Sequence, residues 1–276
     1  METRGLKRSG LEQFYTAPDI AELCVRETID TLPIREYTLV IEPSAGQGIF
    51  IDVYKKHDMR PWVCIKGLDI DPKRSDIVKQ DYLNTVIQRP DKGKVLVLGN
   101  PPFGRNSSLA KKFIRKSCTY TDTIAFILPK SFRKPSFERA FDTLFHKVSE
   151  IELPKNSFIL NDKPYDVPCV FQIWNKQGTH RVIPAILEPD KEYSFNTVNA
   201  NTAFKRVGVK AGTFVFDTEI VSSLSKQSHY FLVLPQCYID VIKESPPVFE
   251  TANDTTGPKS VSKQVLIEYL NHLKKE

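Results

Sequence analysis

The chain has 276 residues, 41% hydrophobic and 26% charged, which suits a folded globular protein with one substantial domain and a smaller appendage. Its apolar runs fall short of the roughly eighteen residues that span a bilayer. The five cysteines (Cys24, Cys64, Cys118, Cys169 and Cys237) have neither disulfide-framework nor metal-ligand spacing, and the net charge of +6 permits a nucleic-acid partner without arguing for one.

Residues 1–8 carry charges with no apolar stretch behind them, so no signal peptide is expected and the protein is expected to be soluble and intracellular. Short apolar runs at 37–41, 62–68, 95–98 and 123–128 predict strands buried on both faces. Between them, 49–56 and 108–116 predict helices. In the second, Leu109 and Phe113 share a face, while Lys112, Arg115 and Lys116 fall largely elsewhere. A run at 167–174 reads as a late strand of the same sheet. This alternation predicts an α/β domain with a mainly parallel sheet over residues 1–178. Residues 179–276 predict a small α+β region, a candidate for target recognition. There 190–204 is polar, 213–216 and 230–234 read as strands, 244–260 as a loop and 261–275 as an amphipathic helix.

The residues that carry chemistry follow the predicted strands. Gly99-Asn100-Pro101-Pro102-Phe103-Gly104 comes directly after one of them, where open α/β sheets bind ligands. Two consecutive prolines fix φ and make a stiff loop. The Asn100 amide oxygen and the Pro101 carbonyl can then accept both hydrogens of one flat amino group, and Phe103 offers a face to a heteroaromatic ring. A plain turn anchored by Phe103 is the alternative. Earlier, Ile41-Glu42-Pro43-Ser44-Ala45-Gly46-Gln47-Gly48 joins a strand to a helix, with glycines that let the backbone approach a ligand. Asp69, in Gly67-Leu68-Asp69-Ile70-Asp71, is placed to accept both hydroxyls of a ribose, and Asp81 of Gln80-Asp81-Tyr82 an amino group of adenine.

In this order the motifs resemble those of S-adenosylmethionine-dependent N6-adenine methyltransferases of the gamma arrangement. The resemblance covers about residues 10–175. It implies a Rossmann-like class I methyltransferase fold and S-adenosylmethionine as cofactor, held by Glu42, Pro43, Ser44, Ala45, Gly46, Gly48, Asp69, Ile70, Asp81 and Tyr82. The opening segment Gln13-Phe14-Tyr15-Thr16-Ala17-Pro18 departs from the family's spacing by one residue, leaving Tyr15 or Thr16 to hold the methionine carboxylate. Asn100, Pro101, Pro102 and Phe103 are then the catalytic loop, and Phe158 is implied as a second aromatic that stacks on the target base, with Tyr165 and Phe132 as competitors.

Arg105, Lys111, Lys112, Arg115 and Lys116, with no acid among residues 105–116, form a candidate track for a phosphate backbone, joined by Arg133 and Lys134. The five histidines fit no metal or triad motif, so no metal is expected. DNA is favoured over RNA as the polymer because of the trailing candidate recognition region. RNA adenine methylation, protein-glutamine methylation and a non-catalytic nucleic-acid-binding subunit are the alternatives.

Overall fold

The computed structural model describes residues 14–255 and 257–273, and the chain divides into two units, Met1–Ile183 and Pro184–Glu276. In the first, chain order runs β1 (Tyr15–Thr16), α1 (Pro18–Thr31), β2 (Tyr37–Glu42), α2 (Ile49–His57), β3 (Cys64–Asp69), β4 (Val78–Lys79), β5 (Lys94–Gly99), α3 (Ser108–Cys118) and β6 (Thr123–Pro129). It continues through α4 (Pro135–Glu138), β7 (Phe145–Glu152), β8 (Phe158–Leu160), β9 (Lys163–Tyr165) and β10 (Cys169–Lys176).

Seven of these strands form one sheet in the order β4-β3-β2-β5-β6-β10-β7. The pairs from β4 to β6 are parallel, and β10 runs antiparallel between β6 and β7. This is a Rossmann-like, mainly parallel sheet. Its middle strands are largely apolar and buried on both faces: every residue of β6 is buried, as are five of six in β5. Helix α1 starts on Pro18, whose fixed φ suits a first turn. It buries Ile20, Ala21, Cys24, Val25 and Thr28, one helical stripe. Burying side chains such as Ile20 and Val25 stabilises by about 1.5–3 kcal/mol each.

A second, three-stranded sheet β1-β8-β9 stands apart from the large one. Its hairpin turns on Asn161 and Asp162, both at positive φ (50° and 58°), the backbone that a two-residue hairpin turn favours and that Asn and Asp tolerate. Strand β1 adds to β8 with Tyr15 opposite Ile159 and Thr16 opposite Phe158.

The second unit holds an antiparallel sheet of β11 (Ser194–Phe195), β12 (Thr202–Lys205), β13 (Phe214–Val215) and β14 (His229–Val233) in the order β11-β14-β12-β13. With it are α5 (Thr218–Ser223), α6 (Gln236–Glu244) and α7 (Lys263–His272). Tyr193, Phe204, Leu232, Tyr238, Leu266 and Leu270 form its core. The polar stretch 190–204 thus contains two short strands. Helix α7 begins where Ser262 Oγ accepts the Val265 N–H at 3.3 Å; residues 274–275 of the expected helix lie outside the described residues. Among the described residues no helix is long and apolar enough to cross a membrane.

Candidate active site

A cleft of about 1010 Å³ opens where the carboxyl ends of β2, β3 and β5 meet β1. Its first wall is the turn from Glu42 to Gly48. Gly46 and Gly48 have φ of 50° and 78°, the left-handed backbone that favours glycine over any residue with a Cβ. The turn is fastened from β3: Asp69 Oδ2 accepts the Gly46 N–H at 2.7 Å, and Oδ1 accepts the Asp71 N–H at 2.7 Å. A carboxylate has about four acceptor sites, so Asp69 keeps capacity for a ligand while shaping the loop. Asp81 also lines the cleft, where Oδ1 accepts the Leu83 N–H at 2.9 Å and Oδ2 the Asn84 amide at 2.7 Å.

Glu42 is only 4% exposed, and its Oε2 has no hydrogen-bond partner. Burial pushes its carboxyl well above the usual range. A buried carboxylate with a free oxygen on a cleft wall is a site for a cationic group, whose charge would offset the desolvation. Gly99 backs it: at φ 148° a Cβ there would lie 3.2 Å from Glu42 Cγ.

The second wall is the loop after β5. Asn100 Nδ2 donates to the Phe14 carbonyl at 3.3 Å and to Thr16 Oγ1 at 3.2 Å. This turns Oδ1 the other way, and Oδ1 is buried with no partner. Ser44 Oγ donates to the Asn100 carbonyl at 2.8 Å and ties the two walls together. Phe103, 9% exposed, lines the cleft, and its carbonyl accepts the N–H groups of Leu109 and Ala110 at the start of α3.

The structure therefore brings to one cleft Tyr15, Thr16, Glu42, Pro43, Ser44, Ala45 and Gly46 from the first motifs. It adds Asp69, Ile70, Asp81 and Tyr82 from the next, and Asn100, Pro101, Pro102 and Phe103 from the last. Gly48 lies outside the lining, packed against Arg74 and Ile77. Gln13 of the opening segment lies outside the described residues.

Two expectations are corrected. Phe158 has no exposed surface and does not line the cleft. Side chains alternate along β8, so pairing with β1 turns Ile159 to the cleft and Phe158 into the core. On the β1 side of the cleft the phenylalanine that lines it is Phe14, stacked on Tyr165 with centroids 5.2 Å apart and planes 11° from parallel. Phe14 stood inside a segment singled out by its neighbours, but nothing local shows which way its ring turns. Arg133 is likewise not free for phosphates: it pairs with Glu150 and Glu152 at 2.8 and 2.9 Å.

The other basic residues divide. Arg105 is exposed on the cleft lining. Lys112 and Arg115 are exposed on α3 and Lys116 half-exposed there, with no carboxylate within 4.0 Å among the described residues. The Lys111 ammonium instead sits 4.0 Å from the centroid of the Phe137 ring, and burial lowers its pKa. Lys134 precedes Pro135 at the start of α4. No group of three or more His, Cys, Asp or Glu among the described residues is placed to hold a metal ion.

No protein-family model matches the sequence, and no curated protein matches it. Among solved structures the chain is similar to a Listeria monocytogenes protein assigned as a class I S-adenosylmethionine-dependent methyltransferase: 16% identity, 68% of this chain and 67% of that one, TM-score 0.47. A Pyrococcus horikoshii protein assigned as an RNA methyltransferase is 16% identical over 64% of this chain and 94% of that one, with a TM-score of 0.43. The plantazolicin methyltransferase BpumL, solved with S-adenosylhomocysteine, is 11% identical over 58% and 85%, with a TM-score of 0.37.

Proposed function

We propose that this chain is an S-adenosylmethionine-dependent methyltransferase that acts on the exocyclic N6 amino group of adenine in DNA. The observation that carries the reading is the Asn100 amide, anchored through its nitrogen with its oxygen buried and unpartnered beside a stiff Pro-Pro loop. An orphaned buried acceptor is costly unless a ligand donor meets it. A flat amino group carries two such donors.

The wall residues fit the cofactor: Glu42 Oε2 for its ammonium, Tyr15 or Thr16 for its carboxylate end, Asp69 for the ribose hydroxyls and Asp81 for the adenine edge. When bound, S-adenosylmethionine supplies an electrophilic sulfonium methyl. Asn100 Oδ1 and the Pro101 carbonyl accept the two hydrogens of the target amine and so aim its lone pair along one line. Phe103 and Phe14 hold the ring, which has left its stack to enter the cleft. Arg105, Lys112, Arg115 and Lys116 neutralise the strand's phosphates.

DNA is the polymer of choice because a second folded unit follows the catalytic one and can serve target recognition; adenine in RNA is the alternative. The test is transfer of a tritiated methyl group to DNA, RNA and protein pools, followed by nucleoside mass spectrometry. We expect N6-methyladenosine or its deoxy form in the nucleic-acid fraction. Asn100→Ala should lower the rate by about 100-fold or more while leaving cofactor affinity nearly intact. Label confined to protein, or an Asn100→Ala variant with unchanged turnover, would remove this reading.

A further inference from the structure

Residues 1–183 hold 29 Lys and Arg against 22 Asp and Glu, whereas residues 184–276 hold ten against eleven. Five of those ten cations nonetheless converge on one end of the second unit's sheet. Lys205 ends β12 opposite His229 at the start of β14. The Arg206 N–H donates to the Ser228 carbonyl at 3.0 Å and its Nε to the Gln227 carbonyl at 3.1 Å, next to Lys226. The Gly208 N–H donates to the Lys259 carbonyl at 2.9 Å. Lys210 sits in the turn that returns to Lys205 through the Gly212 N–H at 2.8 Å.

These five charges are uncompensated. None has a carboxylate within 4.0 Å among the described residues, and segments 205–216, 220–239 and 255–267 contain no Asp or Glu. In the first unit, by contrast, Lys130, Arg133 and Lys147 share Glu138, Glu150 and Glu152. His229 beside Lys205 is held below the usual imidazole range, chiefly by burial, with the Lys205 charge acting in the same direction. Like charges gathered at one place destabilise a fold, so a polyanion is the natural counterpart. A flat group stands among them: the Arg206 guanidinium lies 5.3 Å from the centroid of the half-buried Tyr230 ring.

We propose that this end of the second unit, formed by Lys205, Arg206, Lys210, Lys226 and Lys259 around Tyr230, binds the phosphodiester backbone of a nucleic-acid strand. The identity of the polyanion rests on the reading of the cleft given above. Cations take the phosphates, and the Arg206–Tyr230 pair offers a surface for a stacked base.

The test uses the full chain and the triple variant Lys210→Ala, Lys226→Ala, Lys259→Ala, three exposed positions whose removal spares the core. Binding of a labelled single-stranded oligonucleotide is measured at several salt concentrations, with methyl transfer to it at saturation. We expect affinity at low salt to fall at least tenfold and the log–log salt slope to flatten by about 2, at about 0.7 per lost contact. Transfer at saturation should be unchanged. Parallel salt curves for the two proteins, with the oligonucleotide still methylated, would overturn the surface and spare the cleft. So would a variant that loses binding to phosphatidylserine vesicles alone. Loss of oligonucleotide binding in the variant, from a wild-type chain that methylates no nucleic acid, would support the surface and overturn the cleft reading.

Discussion

On the β2–β3 side of the cleft the aspartates are already engaged by the backbone, whereas on the β5 side a buried acceptor stands free. Asp69 holds Gly46 and Asp71, and Asp81 holds its own turn. That wall is a turn stiffened by its own carboxylates. The Asn100 side chain is held only through its nitrogen, and its Oδ1 has no hydrogen-bond partner among the described residues. Glu42 is the exception on the first wall, buried with one free oxygen. The difference teaches that a group which shapes its own loop combines binding with stability. A group left unpaired points more sharply to a ligand.

The largest effect should come from the aromatic pair behind the second wall. Phe158→Ala should cost about 3–5 kcal/mol of stability, because it empties a fully enclosed site. Phe14→Ala should act mainly on substrate, about 1–3 kcal/mol of lost stacking, with a small change in Tm. Denaturant melts and substrate titrations on both variants separate these outcomes. A Phe158→Ala variant of normal Tm but poor substrate affinity would exchange the two roles.

Asp69→Ala sharpens the comparison from the other wall. Each charged hydrogen bond it makes to the cofactor should be worth about 1.5–3 kcal/mol, and Tm should fall as well because the Gly46 and Asp71 N–H groups lose their acceptor. Calorimetry with S-adenosylmethionine reads the first effect and a thermal melt the second. Unchanged affinity in a folded variant would remove Asp69 from the binding set.

The subtlest effect concerns Glu42 and has a definite sign. Its folded pKa is raised, so the folded chain keeps a proton that the unfolded chain releases above the ordinary value of 4.5. The stabilising contribution is full below that pH and is lost as pH rises towards the folded pKa. Glu42→Gln stays neutral throughout. It should match wild type in acid, melt higher than wild type at neutral pH, and bind the cofactor more weakly. A Tm difference that does not vary with pH would show that Glu42 is not buried unpaired.

The strand-end segments around Glu42, Asp69 and Asn100 were legible because each is local. An apolar run gives the strand, Gly or Pro breaks it, and the candidate groups stand at its carboxyl end. Helix α1 went unread, although Pro18 and its buried stripe are its signals, and so did the small sheet. The Asn161-Asp162 turn marks that hairpin, but its partner, β1, lies some 140 residues earlier. Arg133 was misread for a similar reason, since its carboxylate partners belong to a strand that sequence alone does not place beside it.

By itself the sequence determined the mainly parallel sheet, the order of the motifs along it and the residue types at each strand end, because these depend on near neighbours and on periodicity. Only the tertiary structure decided which aromatic faces the cleft, which cations are already neutralised and which oxygens are free. A one-residue change in the register between β1 and β8 would exchange the burial of Phe158 and Ile159. That register is set by packing between segments distant in the chain, not by either segment alone.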